Sequence, residues 1–99
     1  MSHSSLEART DGEIMAELGG RLRALRKLHG LNQEEAAAQA DLSRRTVSRA
    51  EQGENPQLAT VIRLLRVYGR LATLESFIPE PSVSPMMLLR RRRREEGRG

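Results

Sequence analysis

The chain has 99 residues, enough for one small domain, and its formal net charge is +4. The last ten residues carry six arginines and two glutamates, so residues 1–89 hold eleven basic and eleven acidic side chains and are neutral. The basic pI therefore does not by itself predict a nucleic-acid partner, which has to be argued from the placement of charges within the neutral part.

The composition excludes several kinds of site. A chain without cysteine has no disulfide, thiolate zinc site or cysteine nucleophile, and its two histidines, His3 and His29, are too few for a structural zinc site. No apolar run approaches the ~20 residues of a membrane span, and residues 1–10 lack the pattern of a secretion signal. We therefore expect no catalytic residues, no metal, no cofactor and no membrane contact, in a cytoplasmic protein that is not an enzyme.

An all-helical fold is predicted because the apolar residues are mostly leucine, valine, isoleucine and alanine, and no segment alternates apolar and polar residues as a strand does. We expect a flexible N-terminal arm over residues 1–12. A helical domain follows over residues 13–78, and residues 79–99 form an extended, Arg-rich tail that contains three prolines.

The first helix is predicted to have Asp11 as its N-cap, to continue through Gly19-Gly20 and to end at a left-handed cap on Gly30. Its inward stripe has helical spacing and consists of Ile14, Leu18, Leu22, Leu25 and Leu28.

Two short helices are predicted next. Asn32 and the glutamate three residues later form a capping box for a helix over Gln33–Ala40. Ser43 then caps a helix over roughly residues 44–52, which Gly53 ends. Because only a short turn at Asp41-Leu42 separates them, the pair has the geometry of a helix-turn-helix.

The fourth helix is predicted to be capped by Asn55, to have Pro56 at its first position and to run to Tyr68. Its inward face is expected to hold Leu58, Val61, Ile62 and Leu65. The arginines at 63, 66 and 70 are expected on a solvated face, and a short fifth helix is expected from Leu71 to about residue 77.

The start of the third helix carries three positive charges and three hydroxyl groups, with no acid before Glu51. Val47 and Ala50 are expected to face inward, which leaves four side chains towards solvent: Arg44, Arg45, Ser48 and Arg49. A recognition helix presents such a face to the major groove, and arginine pairs in bidentate fashion with guanine. The alternative interpretation is a solvated basic face without a ligand.

The chain resembles the XRE, or Cro/cI-type, helix-turn-helix domain over about residues 18–76. The motifs that carry the resemblance are residues 21–35 (RLRALRKLHGLNQEE) and residues 42–56 (LSRRTVSRAEQGENP). The resemblance implies a compact five-helix bundle of the lambda-repressor type and a homodimer that binds a double-stranded DNA operator. A transcriptional regulator is implied, expected to be a repressor, and it would be associated with the nucleoid.

The resemblance also implies roles for individual residues. Base reading is assigned to Arg44, Arg45, Ser48 and Arg49. Backbone contacts are assigned to Asn32, Gln33, Ser43, Thr46, Gly53 and Asn55. Arg26 and Glu51 are expected to form a structural ion pair. The chain departs from the family pattern at Asp41, where a glycine is usual, and at Ala36 and Ala50, where large aliphatic residues are usual. The two alanines predict a thin core unless the helices close up.

The tail contains the sequences FIPEP (residues 77–81) and SPMMLLR (residues 84–90), which resemble the tails of HipB-type antitoxins encoded beside HipA-like kinases. That resemblance implies an autorepressor with a kinase toxin as its partner. Three interpretations of the tail stay open: a partner-binding segment in which Met86–Leu89 docks in a groove, a DNA tether through Arg90–Arg94, or a solvated end. The alternative for the whole chain is a protein-interaction module on a helix-turn-helix scaffold with incidental DNA binding.

Overall fold

The computed structural model describes residues 6–81, and within this range the fold is all-helical. The four α-helices are α1 (Asp11–Leu28), α2 (Gln33–Ala40), α3 (Arg44–Glu51) and α4 (Leu58–Val67), and a 3-10 helix follows at Leu71–Glu75. The first five residues of the expected arm and the expected tail from residue 82 onwards lie outside the described residues, including Met86–Leu89 and Arg90–Arg94.

Helix α1 begins at Asp11, inside the range expected for the flexible arm. The expected N-cap at Asp11 is wrong by one residue, because the hydroxyl of Thr10 accepts from the backbone N–H of Glu13 at 3.2 Å. The Glu13 carboxylate in turn accepts from the Thr10 backbone N–H at 2.9 Å. A capping box therefore starts the helix at Thr10, and it satisfies the backbone N–H groups of Thr10 and Glu13.

The helix-turn-helix pair has the predicted bounds at α2, and α3 ends one residue before the predicted Gln52. Asp41 closes α2 in the left-handed conformation, with a φ of 57°. The short polar side chain of aspartate tolerates this conformation better than most residues, which explains how it replaces the usual glycine. The turn is tied by a hydrogen bond from the backbone N–H of Leu42 to the carbonyl of Ala37, at 2.8 Å.

Helix α4 begins later than predicted. Asn55 has a φ of 47° and is therefore left-handed, whereas an N-cap has extended dihedral angles. Gln57 is the N-cap instead, without a side-chain hydrogen bond, and Pro56 lies before the helix. The expected short fifth helix, from Leu71 to about residue 77, is present as a 3-10 helix over Leu71–Glu75 without a side-chain cap, so a fifth α-helix is not confirmed.

The core lies where α2, α3 and α4 meet, and its three largest fully buried side chains are Val47, Leu64 and Tyr68. Of the expected inward face of α4, Leu58 is wrong, since it is 50% exposed, whereas Val61, Ile62 and Leu65 are half-buried and Leu65 packs against the core. The fully buried residues of the helix are Thr60 and Leu64. Ala36 and Ala50 are 0% and 1% exposed. The small side chains at these positions let the helices approach closely, so they are core residues without being large ones.

Helix α1 crosses the C-terminal end of α3 at very short range. A Cβ atom built on Gly19 would lie 2.5 Å from the carbonyl oxygen of Glu51 and 2.8 Å from that of Ala50. Just beyond α3, a Cβ on Gly53 would lie 2.8 Å from the carbonyl of Met15. Glycine is required at both positions by close backbone contact, and this contact fixes α3 against α1.

Candidate nucleic-acid interface

Helix α3 has one buried side and one side towards solvent. Val47 is 0% exposed and Ala50 is 1% exposed, so these two residues fix the orientation of the helix against the core. The base-reading candidates Arg44, Arg45 and Arg49 are exposed on the other side, and Ser48 is half-buried beside them. The helix therefore presents a compact polar and basic surface of the size that a major groove admits.

The first turn of α3 is electrostatically unfavourable for the helix itself. Arg44 and Arg45 lie at the N-terminal end, where the helix dipole repels cations, and the first turn has no acid. Within residues 6–81 neither arginine takes part in an ion pair or a side-chain hydrogen bond. Two charges that oppose local helix stability and have no partner in this range make the first turn of α3 a candidate site for an external anion, because such local conflicts tend to occur at functional sites.

The other two base-reading candidates make contacts within the described surface. The Nε of Arg49 lies 3.3 Å from the carboxylate of Glu54, and both side chains are about half exposed. The Oγ of Ser48 accepts a hydrogen bond from the Nε2 of Gln52 at 3.1 Å. Sequence reasoning missed Gln52 as a surface residue of this face, although its position four residues after Ser48 places it one turn further on.

Ser43 and Thr46, expected to contact the DNA backbone, are held by the N-cap of α3. The Oγ of Ser43 accepts from the backbone N–H of Thr46 at 3.1 Å, and the two hydroxyl oxygens are 2.8 Å apart. Both hydroxyl groups therefore lie together at the start of α3, close to Arg44 and Arg45 in the chain. Ser43 is exposed and Thr46 is half-buried.

Asn32 and Gln33 stand at the start of α2, where free backbone N–H groups favour an anion. The Asn32 Oδ1 accepts from the backbone N–H of Glu35 at 2.8 Å, and the Glu35 carboxylate accepts from the Asn32 backbone N–H at 2.9 Å. Gln33 is half-buried and donates from Nε2 to Oε1 of Glu51 at 3.1 Å. One Nε2 hydrogen and the Oε1 of Gln33 are left over for a further partner.

Beneath this surface, Arg26 and Glu51 form a buried, bidentate ion pair. The Nε of Arg26 lies 2.6 Å from one carboxylate oxygen and the Nη2 lies 3.0 Å from the other. The Nη1 of Arg26 donates to the carbonyl of Leu31 at 2.8 Å. The hydrogen bonds to Glu51 raise the pKa of the Arg26 guanidinium above its ordinary value. The carboxylate at the end of α3 is thereby paired with a positive charge and buried.

Tyr68 lies against the same pair from the end of α4. It is 1% exposed, and within the described residues its hydroxyl has no hydrogen-bond partner. Burial, with a smaller contribution from the charge of Glu51, raises the pKa of Tyr68 to about 12. The His29 ring stacks on Tyr68, with centroids 5.8 Å apart, and its Nε2 lies 2.9 Å from the Tyr68 carbonyl oxygen.

Gly53 and Asn55 lie in the segment between α3 and α4. Gly53 has a φ of 73° and packs on the backbone of Met15, so its backbone serves the α1–α3 contact. Asn55 is exposed and left-handed, and its side chain makes no hydrogen bond within the part of the chain that the structure describes. Asn55 is therefore the better candidate of the two for contact with a backbone phosphate.

The helix-turn-helix family model matches residues 22–73, slightly more than half of the chain. This range contains α2, the turn, α3 and α4, together with the C-terminal part of α1 from residue 22 onwards. No curated protein matches the sequence. Within residues 6–81 no helix is long and apolar enough to cross a bilayer, and no group of three acidic or histidine side chains is placed to bind a metal ion.

Proposed function

The chain belongs to the helix-turn-helix family of DNA-binding regulators, and we propose that it reads a specific double-stranded DNA operator through α3 and represses transcription. The observation that carries this proposal is the outer face of α3. It presents exposed Arg44, Arg45 and Arg49 without an unneutralised acid on the helix, because the charge of Glu51 is balanced by Arg26.

In this mechanism α3 enters the major groove with its N-terminal turn nearest the bases. Arg44 and Arg45 donate in bidentate fashion to the O6 and N7 of guanine, each good pair contributing about 1–3 kcal/mol of discrimination. Arg49 reaches the bases or a flanking phosphate only when it leaves Glu54, an exposed pair whose loss costs roughly 0–1 kcal/mol. Ser48 and Gln52 are the neutral hydrogen-bonding groups of the same face.

The phosphate backbone is held at the start of α2 and around the turn. The remaining amide hydrogen of Gln33 and the free backbone N–H groups of that helix end point to one phosphate. The hydroxyl groups of Ser43 and Thr46 and the side chain of Asn55 supply further contacts. These contacts set the register of α3 on the duplex and carry no sequence information themselves.

We propose a homodimer as the working unit, with half-sites about 34 Å apart on a pseudo-palindromic operator. A single module this small buries little DNA surface, and the two-fold symmetry of a dimer doubles both the contacts and the length of sequence that is read. As a transcriptional regulator the protein would work in the cytoplasm, on the nucleoid.

The test is a binding titration, by fluorescence anisotropy, against the DNA upstream of the gene and against a shuffled duplex of the same length and composition. At physiological salt we expect binding to the upstream duplex that is about 10³-fold tighter or more. Equal affinity for the two duplexes would overturn sequence-specific recognition. It would favour the alternative of an interaction module, which the apolar groove described below supports.

A narrower proposal concerns a partner. The resemblance of residues 77–81 and 84–90 to HipB-type tails favours an antitoxin that binds a HipA-like kinase and represses its own operon. Co-expression with a kinase-like protein encoded by the neighbouring gene tests it: a complex that stays intact through size exclusion supports the pairing. Separate elution of the two chains would contradict it.

A further inference from the structure

The described domain leaves a large apolar groove uncovered. The groove has a volume of about 940 Å³ and lies between α1, α4 and the 3-10 segment. Its apolar lining includes Met15, Leu25, Leu28, Leu58, Leu65 and Phe77. Leu28, Leu58 and Phe77 are 71%, 50% and 55% exposed. Large apolar side chains exposed together along one groove are typical of a binding surface.

We propose that this groove is the docking site of the apolar segment Met86–Leu89 of the same chain. The segment lies outside the described residues and is the longest uninterrupted run of large apolar side chains in the sequence. Two methionines make it adaptable, because their unbranched side chains fill irregular apolar surfaces well.

The position at which the described chain ends favours this occupant. Phe77 lines the groove, and nine residues later the segment begins at Met86, which is a reach of at most ~32 Å of extended chain. The groove follows α1 from Met15 to Leu28, a distance of about 20 Å. The connecting residues are therefore long enough to bring Met86–Leu89 to any point along it.

Tethering also gives the segment an advantage over an occupant from another molecule. A short linker holds a segment at an effective concentration on the order of millimolar, about a thousandfold above that of an unassociated molecule in a micromolar solution. In a homodimer the partner's segment is tethered as well, and the cross-linking test below distinguishes the two. A modest affinity for the groove is then enough for the same chain to occupy it.

The charges around the groove limit what can dock. Among residues 6–81 the charged side chains that line the groove are Arg21 and Arg70, and none of the lining residues in this range is acidic. The arginines at 90–94 would be repelled from this lining, so only the four apolar residues are expected to enter. Docking would hold the arginine run at the rim, in solvent, where it remains available to phosphates.

The absence of native cysteine permits a disulfide test on the full chain. Leu88→Cys is combined with Leu28→Cys in one variant and with Leu58→Cys in a second, since both groove positions are exposed enough to tolerate the change. The control pairs Leu88→Cys with Glu34→Cys, an exposed position on α2 that does not line the groove. Circular dichroism checks that each variant keeps its helical content.

Under mild oxidation, docking predicts that at least one groove pair closes within the monomer about tenfold faster than the control pair. Adding Met86→Ser and Met87→Ser to that variant is expected to bring its rate down to that of the control. Equal rates for groove and control pairs overturn the proposal. Cross-linked dimers in place of cross-linked monomers also overturn it, because the occupant would then be the segment of a second copy.

Discussion

At the scale of single residues, the Arg26–Glu51 pair joins three helices. It connects α1 to the end of α3, and Glu51 also accepts from Gln33 at the start of α2. The two side chains are 9% and 3% exposed, so neither charge is solvated enough to stand alone. A buried ion pair of this kind adds little to stability compared with apolar residues in its place. Removal of one partner, however, leaves an uncompensated buried charge, which destabilises the fold.

We therefore expect Arg26→Ala to lower the free energy of unfolding by about 3–5 kcal/mol, measured by urea denaturation. Arg21→Ala is the matched control on the same helix, because Arg21 is 60% exposed and pairs with Glu17 only at the surface. Arg21→Ala is expected to lower the free energy of unfolding by less than about 1 kcal/mol. Equal losses for the two variants would contradict the role assigned to the buried pair.

Tyr68 makes stability depend on alkaline pH. Its pKa is raised from 10.0 to about 12, so between these values the folded protein keeps a proton that the unfolded chain has lost. The contribution of the protonated Tyr68 hydroxyl to stability is complete below pH 10. It is lost as the pH rises through the pKa of the folded state, which lowers the free energy of unfolding by about 2–3 kcal/mol.

Because Tyr68 is the only tyrosine and there is no tryptophan, the absorbance of tyrosinate reports its ionisation directly. We expect a titration midpoint near pH 12 in the folded protein. Tyr68→Phe is expected to remove this part of the alkaline loss while changing stability at neutral pH by less than about 0.5 kcal/mol, since the hydroxyl has no partner in the described residues. A midpoint near 10 would show that burial does not hold the proton on Tyr68.

At the scale of elements, the contact between α1 and α3 depends on Gly19. We expect Gly19→Ala to destabilise the domain by about 1–3 kcal/mol, because the new Cβ would overlap the backbone carbonyls of Ala50 and Glu51. The neighbouring Gly20 is a close control, since it is exposed in the same helix and a Cβ added to it would meet nothing within 4 Å. Thermal denaturation of both variants measures the difference.

The control substitution at Gly20 is expected to change stability in the opposite direction. Gly20→Ala should stabilise the domain by roughly 0.5–1 kcal/mol, since alanine is the better helix former at an open position. Stabilisation by both substitutions would mean that α1 and α3 are not in backbone contact at Gly19.

Local sequence signals predicted the helix-turn-helix well and α4 poorly. The capping box at Asn32 and the cap at Ser43 are encoded within a few residues, and both have the predicted hydrogen bonds. The face of α4 depends instead on its neighbours. Leu64 and Tyr68 are buried in one cluster with the alanines of α2 and α3, and Thr60 is buried as well, while Leu58 and Leu65 line the groove. Periodicity alone cannot distinguish these two apolar surfaces.

In the candidate interface, too, some features follow from local sequence and others depend on neighbouring elements. The basic residues of α3 are evident from the sequence, and the resemblance to the family supplied the pairing of Arg26 with Glu51. The contact of Ser48 with Gln52 follows the spacing of four residues along a helix. The contacts of Arg49 with Glu54 and of Gln33 with Glu51 depend on side-chain directions across a turn and between helices. No spacing rule within one segment specifies them.

At the scale of the whole molecule, the net charge and the proposed reading surface lie in different parts of the chain. The net charge of +4 comes from residues 90–99, while α3 belongs to the neutral part. We expect that replacing Arg90–Arg94 with glutamine weakens binding to all duplexes and reduces the slope of log K against log salt by about 1 for each phosphate that is no longer bound. The base preference should not change.

Titrations at several salt concentrations, on operator and on shuffled duplexes, measure this slope. Replacing Arg66, an exposed arginine of α4 that lies outside the groove, with glutamine is the comparison variant, and it is expected to leave the slope unchanged. A change in base preference upon loss of residues 90–94 would place sequence reading in the tail and contradict the division of roles.

The most direct test of sequence reading by α3 is the base preference of its variants, determined by selection from a random duplex library. We expect Arg44→Ala and Arg49→Ala each to relax or alter the preference at defined positions of both half-sites, at about 1–3 kcal/mol for each base that is no longer read. Arg66→Ala, an exposed arginine of α4 without an ion pair or side-chain hydrogen bond in the described residues, should select the same site as the parent protein. If Arg44→Ala and Arg49→Ala select the parent's site with the parent's discrimination, α3 is not the reading helix.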